Sequence, residues 1–353
     1  MLHRAREVTY CRPASPARCI HFFTPSLVLG VAGHFRDQPP DRVSSVKPWR
    51  YLPLNSFSLG QIAKMPGISV VIPTHLRPAL LQEAIDSVLA QTLPPSEIVV
   101  VDDADDRDTK DVVARSSQAT SFAIRHVANA AGGVCHSRNI GASAATGAWV
   151  AMLDDDDTWA PSFLKDLSHR LDASGADMAI GGLVRYEGQL EPTLRLQPDN
   201  LTSETVLKQN GSLTGSNFII SRTAYDEIGG FDPTVPVFND WDFFVRFLDA
   251  GFKYCVVAGP LAHWRDHSGP RIATPSLKRA TGIQAFIDRY SPRMSRQVYR
   301  DLRTTALGVR RQHAKGLLQK LILSAKLAAA HGARNTITRA VKPLVRRVGA
   351  AGK

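Results

Sequence analysis

Four aspartates follow directly on an apolar segment in the stretch Ala148-Trp-Val-Ala-Met-Leu-Asp-Asp-Asp-Asp157. The apolar part predicts a short buried β-strand that ends where the aspartates begin. Four adjacent carboxylates repel one another, and a divalent cation would offset that repulsion. Oxygen ligands of this kind suit Mg²⁺ or Mn²⁺. The alternative is a solvated acidic turn ahead of a helix that begins near Pro161.

The chain before this stretch alternates between predicted strands and helices. Apolar runs predict strands at residues 68–72, 97–101 and 122–127, and a helical pattern begins at Pro78. This alternation predicts an α/β fold with a mostly parallel sheet flanked by helices. Ligands bind at the carboxyl ends of such strands. The polar residues at those ends, Pro73-Thr74, Asp102-Asp103 and the four aspartates, should therefore meet in space.

The second half of the chain is less regular. The pattern predicts strands at residues 177–184, 217–221 and 252–257, and helices at 240–250 and 277–300. An apolar run of 18 residues occurs nowhere in the sequence, so we expect no membrane-spanning helix.

Three further side chains are candidates for chemistry, each with a structural alternative. Arg138 lies in a helix predicted at 135–146, where helix amides and an arginine favour a phosphate. Asp103 has the position of a hydrogen-bond acceptor for a ribose or a base. Asp240, at the start of a helix, would accept a proton from a sugar hydroxyl. The structural alternative for Arg138 is a solvated arginine on an exposed helix face. The alternative for Asp103 and for Asp240 is a helix N-cap.

Composition excludes several classes of protein. The 353 residues are 44% hydrophobic, which is enough for a large core, and four cysteines without metal-ligand spacing exclude a disulfide scaffold. The net charge of +11 is confined to the two ends: residues 1–64 carry +6, residues 301–353 carry +11, and the segment between carries −6. Because the acidic middle lacks a basic groove, we expect no nucleic-acid partner.

The two basic ends differ in pattern. Residues 1–64 are broken by prolines and predict a disordered or non-native extension, although residues 19–33 loosely resemble a signal peptide. In the tail, Leu317, Leu318, Leu321 and Ile322 recur at helical spacing among lysines. This predicts either a basic amphipathic helix on an anionic membrane or a packed helix with a solvated basic face. The expected divisions are 1–64, 65–275 for the catalytic domain, and 276–353 for a helical basic region.

An ordered set of motifs spans residues 68–270. The set comprises Val70-Val-Ile-Pro-Thr74, Glu97-Ile-Val-Val-Val-Asp-Asp103, Asn129 with Ser137-Arg-Asn-Ile-Gly141, Ala145-Thr-Gly147, Leu153-Asp-Asp-Asp-Asp157, Gly229-Gly-Phe-Asp232 and Asn239-Asp240. In this order the motifs resemble glycosyltransferase family 2, whose members have the Rossmann-like GT-A fold. Each motif alone is weak, and the specificity lies in the sequence of all of them.

The resemblance implies a role for each matching residue. The donor nucleotide sugar would contact Pro73, Thr74, Asp103, Arg138, Asp154 and Asp155, with Asp103 near the base and Arg138 near the diphosphate. Asp154 and Asp156 match the metal-binding pair, and His267, preferred over His263, would be a third ligand. Asp240 matches the catalytic base. Asn239 departs from the acidic pair that the family often has at this position.

The implied protein is a metal-dependent inverting glycosyltransferase that uses Mg²⁺ or Mn²⁺. It would move a sugar from a nucleotide-diphosphate donor, with a UDP-sugar favoured, to a glycan or lipid-linked acceptor. We expect it in the cytoplasm, peripherally bound at the inner face of the cytoplasmic membrane.

Two other functions stay open. A sugar-nucleotide nucleotidyltransferase would want a glycine-rich loop after the first strand, and Pro73-Thr-His-Leu-Arg77 has no glycine. A non-catalytic nucleotide-sugar-binding protein would not need Asp240.

Overall fold

The computed structural model describes residues 67–186, 191–208, 211–265 and 274–331. The predictions for residues 1–64 and for His267 lie outside these residues. The strands are β1 (Ile68–Thr74), β2 (Glu97–Asp102), β3 (Ala123–Ala128), β4 (Trp149–Met152), β5 (Asp157–Trp159), β6 (Met178–Arg185), β7 (Thr193–Arg195), β8 (Phe218–Ser221) and β9 (Tyr254–Trp264). The helices are α1 (Pro78–Leu89), α2 (Arg107–Ser117), α3 (Val134–Ala144), α4 (Phe163–Ser174), α5 (Ser203–Val206), α6 (Arg222–Glu227), α7 (Asn239–Asp249), α8 (Leu277–Tyr290), α9 (Arg296–Gln312) and α10 (Leu317–His331).

The strands form one sheet in the order β3-β2-β1-β4-β8-β6-β9-β5, with β7 added to β6. Neighbours within β3-β2-β1-β4 are parallel, as the alternation of strands and helices predicts. Beyond β4 the sheet is mixed, because β8 runs antiparallel to both β4 and β6, while β6 and β9 are parallel. The predicted α/β fold with flanking helices is confirmed, and its four consecutive parallel strands come from the N-terminal half of the chain.

Side chains of the central strands alternate between two apolar layers. Val70 and Ile72 of β1 pack in the layer that contains Leu81 of α1. Val71, between them, packs in the opposite layer against α3. Gly141 allows this close approach, since a Cβ there would lie 2.3 Å from the Cγ1 of Val71. The alternating burial fixes which strand ends carry the polar residues and holds them at one edge.

Several elements differ from the sequence prediction, and β7, α5 and α6 were not predicted. β9 continues seven residues past the predicted end at 257, because its second half pairs with β5. β5 itself was not predicted and begins at the last of the four aspartates. The helical stretch predicted at 277–300 is two helices, because Ser295 begins a new one by accepting a hydrogen bond from the N–H of Val298.

The C-terminal region is helical, as predicted, and α10 packs on α9. Within the described ranges, no helix is both long and apolar enough to cross a bilayer. The predicted amphipathic segment lies within α10, and its four large apolar side chains face the solvent.

Candidate active site

The acidic run forms a tight turn between β4 and β5. The N–H of Asp157 donates to the carbonyl oxygen of Asp154 over 3.1 Å, and β5 then pairs Asp157 with Trp264 of β9. One carboxylate oxygen from each of Asp154, Asp156 and Asp157 lies within 4.8 Å of the others. Three converging carboxylates are the donor set that a hard divalent cation prefers.

The fourth carboxylate of the run is already bonded. The hydroxyl of Thr74 donates to Asp155 Oδ2 over 2.8 Å, and Arg77 Nη1 donates to Asp155 Oδ1 over 3.1 Å. Burial raises the pKa of Asp155 to about 6, although Arg77 and Thr74 act in the opposite direction. Asp155 and Thr74, both expected to contact a donor, therefore contact each other and join the ends of β1 and β4.

Electrostatics support the cation site. Asp157 is almost fully buried, and burial raises its pKa well above the ordinary value, with the charges of Asp156 and Asp154 adding to the effect. Two groups partly compensate the negative charges of these carboxylates. Arg77 Nη1 lies 3.3 Å from Asp156, and the N–H of Arg265 donates to Asp157 over 3.3 Å. A buried acid with this shift is a site where a bound cation would lower the cost of ionisation.

The structure places a third carboxylate, that of Asp157, beside the two predicted metal-binding aspartates. Asp154 and Asp156 belong to the carboxylate group as expected, and Asp157 joins them although the sequence did not single it out. His263 pairs with Thr158 of β5, so it lies on the sheet face opposite Asp157, where its ring contacts Tyr186 edge to face. His263 is thus remote from the carboxylate group. His267, the preferred third ligand, lies outside the described residues.

Arg138 connects the acidic turn to the start of α7. It is 3% exposed, and its two terminal nitrogens donate to Asp154 Oδ1 over 2.6 Å and to Asn239 Oδ1 over 2.8 Å. The guanidinium also lies over the ring of Phe231, 4.7 Å from its centre. Gly215 leaves room for it, since a Cβ there would lie 1.9 Å from Arg138 Nη2.

The contacts of Arg138 differ from the predicted diphosphate contact. Its Nη1 and Nη2 already hold protein oxygens, while its buried Nε has no hydrogen-bond partner among the described residues. The observed role is to hold Asp154 and α7 together. The diphosphate contact itself stays a prediction, and it would require the guanidinium to share or exchange these partners.

The Asn139 side chain fixes the loop that supports Arg138. Its amide donates to the carbonyl of Phe231 over 2.7 Å and accepts from the N–H of the same residue over 2.8 Å. The hydroxyl of Tyr225 donates to the same Asn139 oxygen over 2.8 Å. The Gly229-Gly-Phe-Asp232 motif is therefore held in place by the Arg138-Asn139 pair, a long-range contact that no local pattern indicates.

Asp240 lies in the first turn of α7, directly beside Asn239. The N–H of Trp241 donates to Asp240 Oδ1 over 2.8 Å. Burial raises the pKa of Asp240, the Trp241 N–H and the Arg138 guanidinium lower it, and the charge of Asp154 raises it again. Phe238, just before this turn, has φ of 60°, a strained conformation for a bulky residue that is typical of functional sites. Asp240 is thus a partly buried carboxylate with raised basicity at the same edge as the acidic turn.

Asp103 lies at the end of β2, where α3 begins. Gly133, with φ of 88°, donates its N–H to Asp103 Oδ2 over 2.9 Å, and His75 Nδ1 is hydrogen-bonded to the other oxygen. Pro73 and Thr74 end the adjacent strand β1. The predicted nucleotide-contacting residues therefore lie on neighbouring strand ends, next to the acidic turn. Their contacts with a donor stay predictions.

Residues 69–229 match the family model described as Glycosyl transferase family 2. The chain contains a glycosyltransferase family 2 domain. The matched range includes the acidic turn, Arg138 and the Asp103 loop, and Asp240 lies beyond it. The resemblance inferred from the ordered motifs is confirmed.

Two relatives of this domain have names that state a specific function. The succinoglycan biosynthesis protein ExoO of Rhizobium meliloti is 32% identical over 209 residues, which cover 57% of this chain and 57% of ExoO. A Campylobacter jejuni enzyme named GalNAc(5)-diNAcBac-PP-undecaprenol beta-1,3-glucosyltransferase is 34% identical over 128 residues, which cover 36% of this chain and 41% of that enzyme. The chain spans less than two thirds of either relative.

The fold also matches a solved glycosyltransferase structure. S. aureus TarS, residues 1–349, superposes with a TM-score of 0.55 at 17% identity, covering 76% of this chain and 82% of that one. At this identity the likeness concerns the fold, which is the GT-A type expected from the motifs. The family assigns the domain to the glycosyltransferases.

Proposed function

We propose that this protein is a metal-dependent inverting glycosyltransferase that moves a sugar from a UDP-sugar to a hydroxyl of a glycan or lipid-linked acceptor. One observation carries the proposal: Arg138 bonds both Asp154 of the acidic turn and Asn239 of α7. That link holds the carboxylate group and the base Asp240 at one edge of the sheet. The two halves of a displacement reaction, leaving-group stabilisation and acceptor deprotonation, are then side by side.

Asp154, Asp156 and Asp157 would hold the divalent cation, Mg²⁺ or Mn²⁺, because their oxygens converge within 4.8 Å. When bound, such an ion offsets the charge that develops on a departing nucleotide diphosphate. Arg138 and Arg77 orient two of these carboxylates by ion pairs of 2.6 and 3.3 Å. The protein's own contribution is a fixed, partly desolvated donor set.

Asp240 would act as the general base. Its carboxylate accepts the proton of the acceptor hydroxyl as that oxygen forms a bond to the anomeric carbon. The bond from that carbon to the diphosphate oxygen breaks on the opposite face, so the configuration inverts. The raised pKa of Asp240, caused first by burial, strengthens it as a base.

The donor and acceptor classes follow from the site and from the relatives. Pro73, Thr74 and Asp103 would hold the nucleotide, since they end the strands beside the acidic turn. The TarS structure contains UDP-GlcNAc, which supports a UDP-sugar as donor. The Campylobacter enzyme is named for an undecaprenol-linked acceptor, which supports a lipid-linked acceptor here.

The decisive variant is Asp240→Asn. We expect sugar transfer to fall by roughly 10³-fold or more, because the base is lost while the shape is kept. Affinity for UDP in the presence of Mn²⁺, measured by calorimetry, should change less than about twofold, a difference worth well under 1 kcal/mol. Asp288→Asn, an exposed carboxylate on α8, is the matched control and should retain full activity. Unchanged turnover in Asp240→Asn would refute the assignment.

Donor and stereochemistry are tested on the wild-type protein. A panel of UDP-, GDP- and dTDP-sugars, followed by nucleotide release, identifies the donor. Proton NMR of the first product then gives the anomeric configuration, which should be opposite to that of the donor. Retention of configuration would contradict the inverting mechanism.

A further inference from the structure

Helix α10 exposes an apolar stripe. Leu317 and Leu318 are 75% and 73% exposed, and Leu321 and Ile322 are 58% and 47% exposed. Another side of α10 packs on α9, where Arg311 Nε donates to the hydroxyl of Ser324 over 2.9 Å. The stripe continues along α10, because residues three, four, seven and eleven positions after Leu318 lie on the same face of a helix. These residues are Leu321, Ile322, Ala325 and Ala329. Large apolar side chains that are this exposed on a helix are typical of a docking surface.

A basic groove lies at the other end of the same helix. Its volume is about 620 Å³, and it is lined by Arg296, Tyr299, Arg300, Arg303, the α8–α9 turn and the end of α10. The three arginines share one face of α9 by their spacing of four, three and seven residues. Arg303 donates to the hydroxyl of Tyr299 over 3.2 Å. None of the three arginines has a carboxylate within 4.0 Å among the described residues.

The stripe and the groove form one continuous surface. Ala329 belongs to the stripe by its spacing from Ile322 and also lines the groove beside Arg296. The sequence from residue 302 to 353 contains no Asp or Glu, so no carboxylate of that segment offsets the charge. An apolar stripe joined to a groove of arginines is complementary to a bilayer whose surface carries phosphate groups.

We propose that α9 and α10 dock on an anionic membrane, with the phosphate of a lipid headgroup in the arginine groove and Leu318, Leu321 and Ile322 in the acyl region. A second copy of the chain fits this surface less well. A two-fold contact through α10 would bring the two arginine grooves and lysines such as Lys326 towards each other. The proposal is independent of the reaction.

Vesicle flotation with the full chain tests the proposal. Phosphatidylcholine vesicles with and without phosphatidylglycerol are compared at two salt concentrations. We expect binding to the anionic vesicles to exceed binding to the neutral ones by roughly tenfold or more, and to weaken with salt. Two sets of substitutions divide the surface: Arg296→Gln, Arg300→Gln and Arg303→Gln in the groove, and Leu318→Gln, Leu321→Gln and Ile322→Gln in the stripe.

The two variants should fail differently. The groove variant should lose the preference for phosphatidylglycerol, while the stripe variant should keep that preference but bind both vesicles more weakly. Arg115→Gln, Lys165→Gln and Arg170→Gln remove the same charge from exposed positions on α2 and α4 and should bind as the wild type does. Asp240→Asn should also bind normally, which separates docking from catalysis. Equal binding by the groove and control variants would overturn the proposal.

A single substitution covers the case in which the triple variants do not fold. Leu318→Trp is conservative at an exposed position, and its fluorescence should shift to the blue and be quenched by brominated lipid in anionic vesicles. Absence of both changes would overturn the proposal. So would a wild-type dimer in sedimentation that Leu318→Gln dissociates, because the stripe would then be occupied by a second copy.

Discussion

Glu97 and the acidic turn lie at opposite edges of the parallel part of the sheet, and the pKa values of their buried carboxylates shift in opposite directions. At the start of β2, Glu97 accepts hydrogen bonds from Ser69, Thr146 and Arg125 over 2.5 to 3.0 Å. Burial alone would raise its pKa, but these donors outweigh burial and lower the pKa of Glu97 to about 2. At the carboxyl ends of the strands, burial raises the pKa of Asp155 and Asp157, and neighbouring carboxylates add to the shift.

Glu97, Asp155 and Asp157 are all buried, so their opposite pKa shifts come from their different hydrogen-bond and charge partners. Glu97 is surrounded by donors, so its charge is fully compensated and it joins β1, β2 and β3 as a structural element. The acidic turn contains four carboxylates, and the charges of Asp154 and Asp156 raise the pKa of Asp157 beyond the effect of burial. A bound cation would offset this repulsion. A lowered pKa therefore marks the structural carboxylate Glu97, and raised pKa values mark the carboxylates of the candidate site.

The largest expected effect comes from Asp157→Asn. Loss of a cation ligand should lower transfer by roughly 10³-fold. The same change should stabilise the cation-free protein by about 1 kcal/mol, because it removes a buried charge that Asp154 and Asp156 repel. The sign follows from the raised pKa. Asp157 destabilises the folded state as the pH rises above 3.8, the ordinary pKa of an aspartate. Initial rates and urea unfolding in EDTA check both parts, and lower stability with normal activity would contradict them.

Gly215→Ala tests the link between the two halves of the site. A Cβ at this position would lie 1.9 Å from Arg138 Nη2 and 2.7 Å from Asp154 Oδ2, so the pair must move. A displacement of this size should lower kcat/KM by about 10- to 100-fold. Gly308→Ala in α9 is the matched control, since a Cβ there meets no atom within 4 Å, and it should leave activity unchanged. Equal activity of both variants would separate Arg138 from catalysis.

Glu97→Gln should show the opposite pattern, with lower stability and normal activity. The variant keeps the shape but loses the charge, so the free energy of unfolding should fall by about 2 kcal/mol at pH 7. Because the pKa of Glu97 is lowered from 4.5 to about 2, its stabilisation is present above pH 4.5 and is lost as the pH falls towards 2. Urea unfolding at pH 7 and pH 3 measures the difference between wild type and variant. A difference that does not shrink at the lower pH would contradict the assignment.

The first half of the fold could be predicted from local sequence. Short apolar runs that end in polar residues predicted β1, β2 and β4. The helices that alternate with these strands predicted their parallel pairing. The convergence of Thr74, Asp103 and Asp154 at one edge followed from that order. These predictions succeeded because each depends on side-chain periodicity within about ten residues.

The rest depends on contacts between distant residues. Asp157 faces the carboxylate group only because β5 pairs with β9, more than a hundred residues later. Arg138 contacts Asn239 across 101 positions, a link that no local pattern indicates. The diphosphate contact of Arg138 stays a prediction. A three-residue strand such as β5 has too few residues to produce a periodic signal.

The most direct measurement is a calorimetric titration of UDP into the wild-type protein and Asp156→Asn, each in Mn²⁺ and in EDTA. The central claim is that the acidic turn holds a cation that binds the donor diphosphate. It predicts that Mn²⁺ strengthens UDP binding to the wild type by roughly tenfold or more and that Asp156→Asn loses this gain. Equal UDP affinity in Mn²⁺ and EDTA for the wild type would contradict the claim.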